Sequence, residues 1–183
     1  MVDMNTTATT TANSSTSSLP SSTAPYVLGE GEGEHRHFLN NLATTKVDPG
    51  VDGMMTVVEF SAPRGFGPPL HVHDDEDEVM VILDGVIAFR SGDDEHIGTA
   101  GSTVYLPHAV PHTFQILSES ARFTTVTARQ AGAPQFAAFV SELGVDLDEP
   151  TLPAPIEVDP GTVAEAGTRY GITILGPPPA PLD

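Results

Sequence analysis

The stretch that decides the fold is GFGPPLHVHDDEDEVMVILDG, residues 65–85. Its glycine- and proline-rich start favours a turn. His71 and His73 follow, and on an extended strand both side chains leave the same face because they lie two residues apart. After an acidic run, residues 78–83 are rich in valine and isoleucine, which predicts a second strand. The stretch therefore predicts two strands, with two imidazoles side by side on the first.

The flanking sequence repeats this pattern of short apolar runs between turn signals. Further strands are predicted at residues 54–60, 86–90, 103–106, 112–117 and 122–127. Their spacing of 8–12 residues is typical of an all-β sandwich or barrel. Asp84-Gly85 lies between two apolar runs and predicts a tight hairpin.

Composition excludes several classes of function. The 183 residues include 25 acidic and 7 Lys/Arg side chains, a net charge of −18, and no cysteine. That charge argues against binding to nucleic acid or to anionic lipid. No apolar run is long enough for a transmembrane helix, and the absence of cysteine excludes disulfides and thiolate chemistry. We expect no nucleic-acid or membrane partner.

The chain divides into three predicted segments. Residues 1–25 form a Ser/Thr-rich tail expected to be disordered. Residues 26–130 form the β-barrel, and residues 131–183 form a helical and Pro-rich extension. One helix is predicted from Pro134 to Gly144 and a second, weaker one from Asp159-Pro160 to Gly171. Because the tail lacks the features of a secretory signal, the predicted location is the cytoplasm.

A candidate metal site combines the two histidines with residues further along the chain. Glu78 begins the next strand in phase with Met80 and Ile82, and His112 shares its phase with Phe114. Taken singly, a strand histidine is commonly a hydrogen-bonded core residue, and an acidic run is commonly a solvated loop. Three imidazoles and one carboxylate facing an apolar interior need a common partner, and a divalent cation satisfies all four. Glu76 is the alternative carboxylate.

The remaining histidines carry weaker predictions. His35 and His37 repeat the two-residue spacing without a matching carboxylate, which predicts a strand with exposed rings. His108 is expected at the rim of the site, and His96 on a hairpin surface.

These motifs resemble those of the cupin superfamily. The segment Gly65-x5-His71-Val72-His73-x4-Glu78-x6-Gly85 matches the first cupin motif at every fixed position. The segment Gly101-x5-Pro107-x-Ala109-x2-His112 resembles the second, with Ala109 where the family usually has glycine and Ile116 where it often has asparagine. Several features outside the motifs resemble the single-domain quercetin 2,3-dioxygenase-like branch.

The resemblance implies a single cupin jelly-roll barrel with one or two short C-terminal helices. It also implies a divalent transition metal (Fe, Ni, Mn or Co) held by His71, His73, Glu78 and His112, and a homodimer. Candidate pocket-lining residues are Phe60, Met80, Ile82, Tyr105 and Phe114.

The first functional hypothesis is a dioxygenase that cleaves a flavonol-like or other enolisable phenolic substrate with dioxygen. Glu78 would be both a metal ligand and the catalytic acceptor of the substrate's proton. The alternatives are a redox-neutral metal-dependent isomerase or cyclase of a small metabolite, and a non-catalytic small-molecule-binding cupin. Dioxygen uptake with substrate distinguishes the first hypothesis from the redox-neutral one.

Overall fold

A computed structural model describes residues 18–20, 24–48, 50, 53–129, 131–132 and 135–182. The predicted disordered tail lies almost entirely outside these residues, as does Pro134. The described elements follow in chain order: β1 (Glu34–Phe38), β2 (Asn41–Val47), β3 (Met55–Pro63), β4 (His71–His73), β5 (Glu76–Asp84), β6 (Val86–Ser91), β7 (Asp94–Thr99), β8 (Thr103–Leu106), β9 (His112–Ile116), β10 (Ser120–Arg129), α1 (Phe136–Leu143), β11 (Val145–Leu147), α2 (Pro160–Arg169) and β12 (Ile172–Ile174).

The strands form two antiparallel sheets, which confirms the all-β jelly-roll architecture with short C-terminal helices. The larger sheet has the order β11-β1-β2-β3-β10-β5-β8, and the smaller has the order β12-β4-β9-β6-β7. Along β3, β5 and β10, buried residues alternate with more exposed ones, as expected for strands with one face toward a core. None of the helices in the described ranges is long and apolar enough to cross a membrane.

The core between the sheets is strongly aromatic. Phe123 on β10 stacks on Phe60 of β3, with ring centroids 5.4 Å apart, and meets Phe114 of β9 edge-on at 5.3 Å. Because β9 belongs to the smaller sheet, these contacts join the two sheets directly. Edge-to-face and offset stacking are the arrangements that aromatic pairs favour.

Both predicted helices are present. Helix α1 (Phe136–Leu143) contains the predicted apolar face, and the chain becomes extended at Gly144. Helix α2 begins at Pro160, and the side chain of Asp159 accepts hydrogen bonds from the first-turn backbone, as an N-cap should.

The C-terminal extension also supplies two strands that the sequence did not indicate. Strand β11 pairs with β1 at the edge of the larger sheet, and β12 pairs with β4 in the smaller one. Both strands have only three residues, so their apolar periodicity is too short to recognise. The extension is thus part of both sheets.

The prediction of a hairpin at Asp84-Gly85 was wrong. Strand β5 pairs with β8 and β10, whereas β6 pairs with β7 and β9, so the chain passes from one sheet to the other at Gly85. Gly85 has φ +90°, and a Cβ there would lie 2.6 Å from the Ser120 carbonyl oxygen. Gly85 allows the chain to turn from one sheet to the other. A hairpin turn also needs a glycine with positive φ, so the Asp-Gly dipeptide alone does not distinguish the two kinds of turn.

We predict that Gly85→Ala lowers the free energy of unfolding by about 1–3 kcal/mol, because it adds a steric clash to an unfavourable backbone conformation. Urea denaturation measures the change. Gly101→Ala is the matched control, since Gly101 has φ +87° but its Cβ would meet nothing within 4 Å. Equal losses in the two variants would contradict the proposed clash.

Candidate metal centre

Strand β4 places two imidazoles on one side of the smaller sheet. His71 and His73 are its first and last residues, and its neighbours are β12 and β9. His71 lies opposite His112 of β9 in the sheet register, and the two rings are 4.4 Å apart between centroids. The alternation of side chains places His71 and His73 on the same face of β4. The pairing of β4 with β9 adds His112 to this group.

Glu78 approaches this group from the larger sheet. It occupies the same inward phase of β5 as the buried Met80 and Ile82. Its Oε2 atom lies 3.6 Å from Nε2 of His73 and 3.5 Å from Nε2 of His112. One nitrogen or oxygen atom from each of His71, His73, Glu78 and His112 lies within 4.8 Å of the others. The two sheets therefore bring the four predicted side chains together.

Backbone carbonyls fix the orientation of two of the rings. Nδ1 of His71 lies 2.8 Å from the Pro69 carbonyl oxygen, and Nδ1 of His112 lies 3.0 Å from that of Val110. A carbonyl only accepts, so each Nδ1 carries a proton, and in the neutral ring the lone pair is on Nε2. This arrangement is the usual support for histidines that bind metal through Nε2.

Protonation states in the cluster also suit a cation. Burial and the neighbouring imidazoles His112 and His73 lower the pKa of His71 to about 3. Burial alone would raise the pKa of Glu78, but the surrounding imidazoles outweigh it and lower that pKa to about 2. At neutral pH, His71 is therefore neutral and Glu78 is ionised, which are the forms that bind metal.

The residues present fit a divalent transition metal. Among the described residues, neither ring nitrogen of the buried His73 has a hydrogen-bond partner, nor does Nε2 of His112. Buried polar atoms are normally satisfied, and a shared cation would satisfy Nε2 of His112 together with one ring nitrogen of His73. Three imidazoles with one carboxylate form a donor set suited to iron, nickel, cobalt, manganese or zinc.

Glu76, the alternative carboxylate, lies away from this cluster. It is buried in the same phase of β5 but accepts a hydrogen bond from the backbone N–H of Gln135, at the start of α1. Burial raises its pKa, although this hydrogen bond and Arg129 oppose the rise. Glu76 therefore joins β5 to α1, and of these two carboxylates it is Glu78 that lies beside the histidines.

The cluster opens into a largely apolar cavity that is partly open to solvent. His71, Glu78 and His112 line it, as do residues from both sheets and both helices: Phe38, Leu39, Asn41, Phe60, Phe66, Pro68, Pro69, Phe114, Phe123, Thr125, Phe136, Phe139, Val163, Ile172 and Ile174. A mostly apolar cavity with a few polar groups is typical of a small-molecule site.

Of the five predicted pocket residues, the structure brings Phe60 and Phe114 to this cavity. Met80 and Ile82 are fully buried in the core but do not line it. The prediction for Tyr105 was wrong: it is 60% exposed on the edge strand β8, whose alternation buries Leu106 and turns Tyr105 outward.

The sequence did not indicate that β1, β2, β12 and the two helices contribute residues to the wall of the cavity. The spacing of Phe136 and Phe139 was a usable signal, since it marked the apolar face of α1 without showing what that face covers. The prediction that the ring of His35 is exposed was wrong. The ring is buried, with Nδ1 3.2 Å from Oγ1 of Thr44. His96 is exposed on β7, as predicted, and His108 is exposed with its ring against Asp77.

Comparison with known proteins identifies the family. Residues 58–127 match the family described as "Cupin domain", and these residues include all four side chains of the cluster. Residues 58–127 of this chain therefore carry a cupin domain. A quercetin 2,3-dioxygenase from Bacillus subtilis is 29% identical over 163 residues, which cover 87% of this chain and 47% of that protein. This cupin thus spans about half the length of its curated relative.

Solved structures of other cupins also match. An RmlC-like cupin from Shewanella frigidimarina has a TM-score of 0.49 and 15% identity, over 57% of this chain and 89% of that one. The polyketide cyclase RemF from Streptomyces resistomycificus has a TM-score of 0.43 and 22% identity, over 51% and 70%.

We predict that His112→Ala lowers the metal content of the purified protein at least tenfold, because it removes one of four donors while the fold persists. Elemental analysis measures the metal per chain, and circular dichroism checks the fold. His96→Ala is the control, since His96 is exposed on β7. Full metal content in His112→Ala would contradict the assignment of His112 as a ligand.

Proposed function

We propose that this cupin is a metal-dependent dioxygenase that acts with dioxygen on a flavonol-like or other enolisable phenolic substrate. The observation that carries the proposal is the position of the three-histidine, one-glutamate cluster at the wall of an aromatic cavity. A cavity of this kind accepts a flat apolar ligand and brings its polar edge to the cluster. Similarity to the Bacillus subtilis dioxygenase supports the same chemistry.

His71, His73, Glu78 and His112 would hold one ion of iron, nickel, manganese or cobalt. When bound, the metal supplies Lewis acidity, which lowers the pKa of a substrate hydroxyl, and a centre at which both reactants meet. Four protein ligands leave room for substrate on a five- or six-coordinate ion. The carbonyl contacts of His71 and His112 keep those rings in place.

Glu78 accepts the proton of the substrate hydroxyl in this proposal. It is ionised at neutral pH, and its carboxylate faces the same cavity as the reacting edge of the substrate. Loss of the proton leaves an electron-rich enolate, which reacts with dioxygen in a ring cleavage that keeps both oxygen atoms in the products. The carboxylate then returns the proton.

The aromatic walls bind and orient the substrate and exclude water from it. Phe123 contacts Phe60 within the larger sheet and Phe114 of the smaller sheet, so this wall is fixed before substrate enters. Phe136 and Phe139 of α1 complete it. Orientation by a rigid wall lowers the entropic cost of bringing the reactants together.

The domain organisation, the location in the cell and the oligomeric state of this protein remain predictions. The domain boundaries at residues 26–130 and 131–183, the cytoplasmic location and the homodimer are each expected from sequence or resemblance. A redox-neutral isomerase or cyclase would use the same four ligands without consuming oxygen, and a binding protein would release its ligand unchanged.

We predict substrate-dependent oxygen uptake when the metal-loaded protein is screened against phenols in an oxygen electrode. Glu78→Gln should lower this uptake about 10²–10⁴-fold, because it removes both a ligand charge and the proton acceptor. Glu95→Gln is the control, since Glu95 is exposed on β7. Conversion of a substrate without oxygen uptake would replace the dioxygenase proposal with the redox-neutral one.

A further inference from the structure

We propose that Asn41 is a specificity-determining residue, whose side-chain amide binds a substrate hydroxyl remote from the metal centre. This contact selects polyhydroxylated aromatic substrates over those without a second hydroxyl. The inference rests on the proposed function to the extent that both assign the substrate to the same cavity.

Asn41 carries a buried polar atom that the described part of the fold does not satisfy. Its side chain is 2% exposed, and within the described part of the chain its Oδ1 atom has no hydrogen-bond partner. It nevertheless lines the cavity, most of whose other walls are aromatic or aliphatic. A buried acceptor without a partner is unfavourable, so this amide is suited to a group that enters the cavity.

The local backbone turns Asn41 toward the cavity. Leu39 and Asn40 form a turn with φ values of +46° and +67°, and Asn41 is the first residue of β2. By strand alternation, Asn41 shares a face with Ala43, which belongs to the core between the sheets. Leu42 lies on the opposite face, in a separate groove beside Ser61.

The sheet register separates Asn41 from the metal cluster. Strands β3 and β10 lie between β2 and β5 in the larger sheet. Leu42 pairs with Ser61 near the end of β3, whereas Glu78 pairs with Thr127, which pairs with Thr56 near the start of β3. A ligand that contacts both Glu78 and Asn41 must therefore be elongated.

The chemistry of the amide defines the group that it binds. A hydroxyl donates to Oδ1 and can accept from Nδ2 of the same side chain. The aromatic walls between the two polar ends favour a flat, conjugated body. Together these features specify an aromatic substrate with one oxygen-bearing edge for the metal and a hydroxyl at its far end.

Equilibrium binding under anaerobic conditions tests the proposal without requiring turnover. The probes are quercetin and the unsubstituted flavonol, which lacks the ring hydroxyls, titrated into metal-loaded protein. Wild type should prefer quercetin, and Asn41→Leu should reduce that preference about five- to thirtyfold through loss of one hydrogen bond. Asn40→Gly is the control: the amide of Asn40 bonds to the backbone of Ile156 instead, so the preference should remain.

The outcomes separate this inference from the proposed function. An Asn41-dependent preference supports the inference even if no oxygen is consumed, a result that would overturn only the dioxygenase proposal. A preference that survives in Asn41→Leu, or failure of both flavonols to bind, overturns the inference. Thermal unfolding adds a test without ligand: Asn41→Leu should keep or raise the Tm, because it removes an unsatisfied polar group. A fall of several degrees would indicate a structural role and overturn the inference.

Discussion

The crowding of four ionisable side chains at one buried point is the constraint on which the structure depends. Their ligand atoms lie within 4.8 Å of one another, where an isolated charge would be costly. The cost is limited because Glu78 supplies a negative charge and burial keeps His71 neutral. Glu78 also raises the pKa of His112, although burial by itself would lower it. The cluster is thus electrostatically matched to a cation, while neither ring nitrogen of His73 has a hydrogen-bond partner among the described residues.

That cluster requires the two sheets to be held in a fixed relation. Three ligands come from the smaller sheet and Glu78 comes from the larger. Any shift of one sheet against the other would therefore change the distances between the Glu78 carboxylate and the three imidazoles. The aromatic contacts among Phe60, Phe114 and Phe123 join the sheets close by. Close-packed interiors transmit small shifts, and the same rings that stabilise the fold therefore also preserve the metal site.

Sequence predicted the parts of this molecule that depend on local periodicity. The phases of His71, His73, Glu78 and His112 followed from alternation along strands, and the apolar face of α1 followed from helical spacing. What sequence could not give was pairing between distant segments. Strand β12 is three residues long and gains its role by pairing with β4, and Asn41 is an ordinary strand residue until its neighbours define a cavity. Tyr105 was misplaced because the alternation of side chains along β8 buries Leu106 and turns Tyr105 outward.

One loop explains how the site tolerates a departure from the usual cupin motif. Ala109, where the family usually has glycine, has φ +58°, an unfavourable conformation for alanine. The loop is held by three consecutive residues that bind three different strands. His108 bonds to Asp77 of β5 through both its backbone N–H and its ring. The N–H of Ala109 donates to the carbonyl of His73 on β4 at 2.8 Å, and the carbonyl of Val110 accepts from His112 on β9. Strain of this kind persists where the surroundings determine the backbone completely. The loop therefore couples the ligand-bearing strands of both sheets, and the strained residue lies at the centre of that coupling.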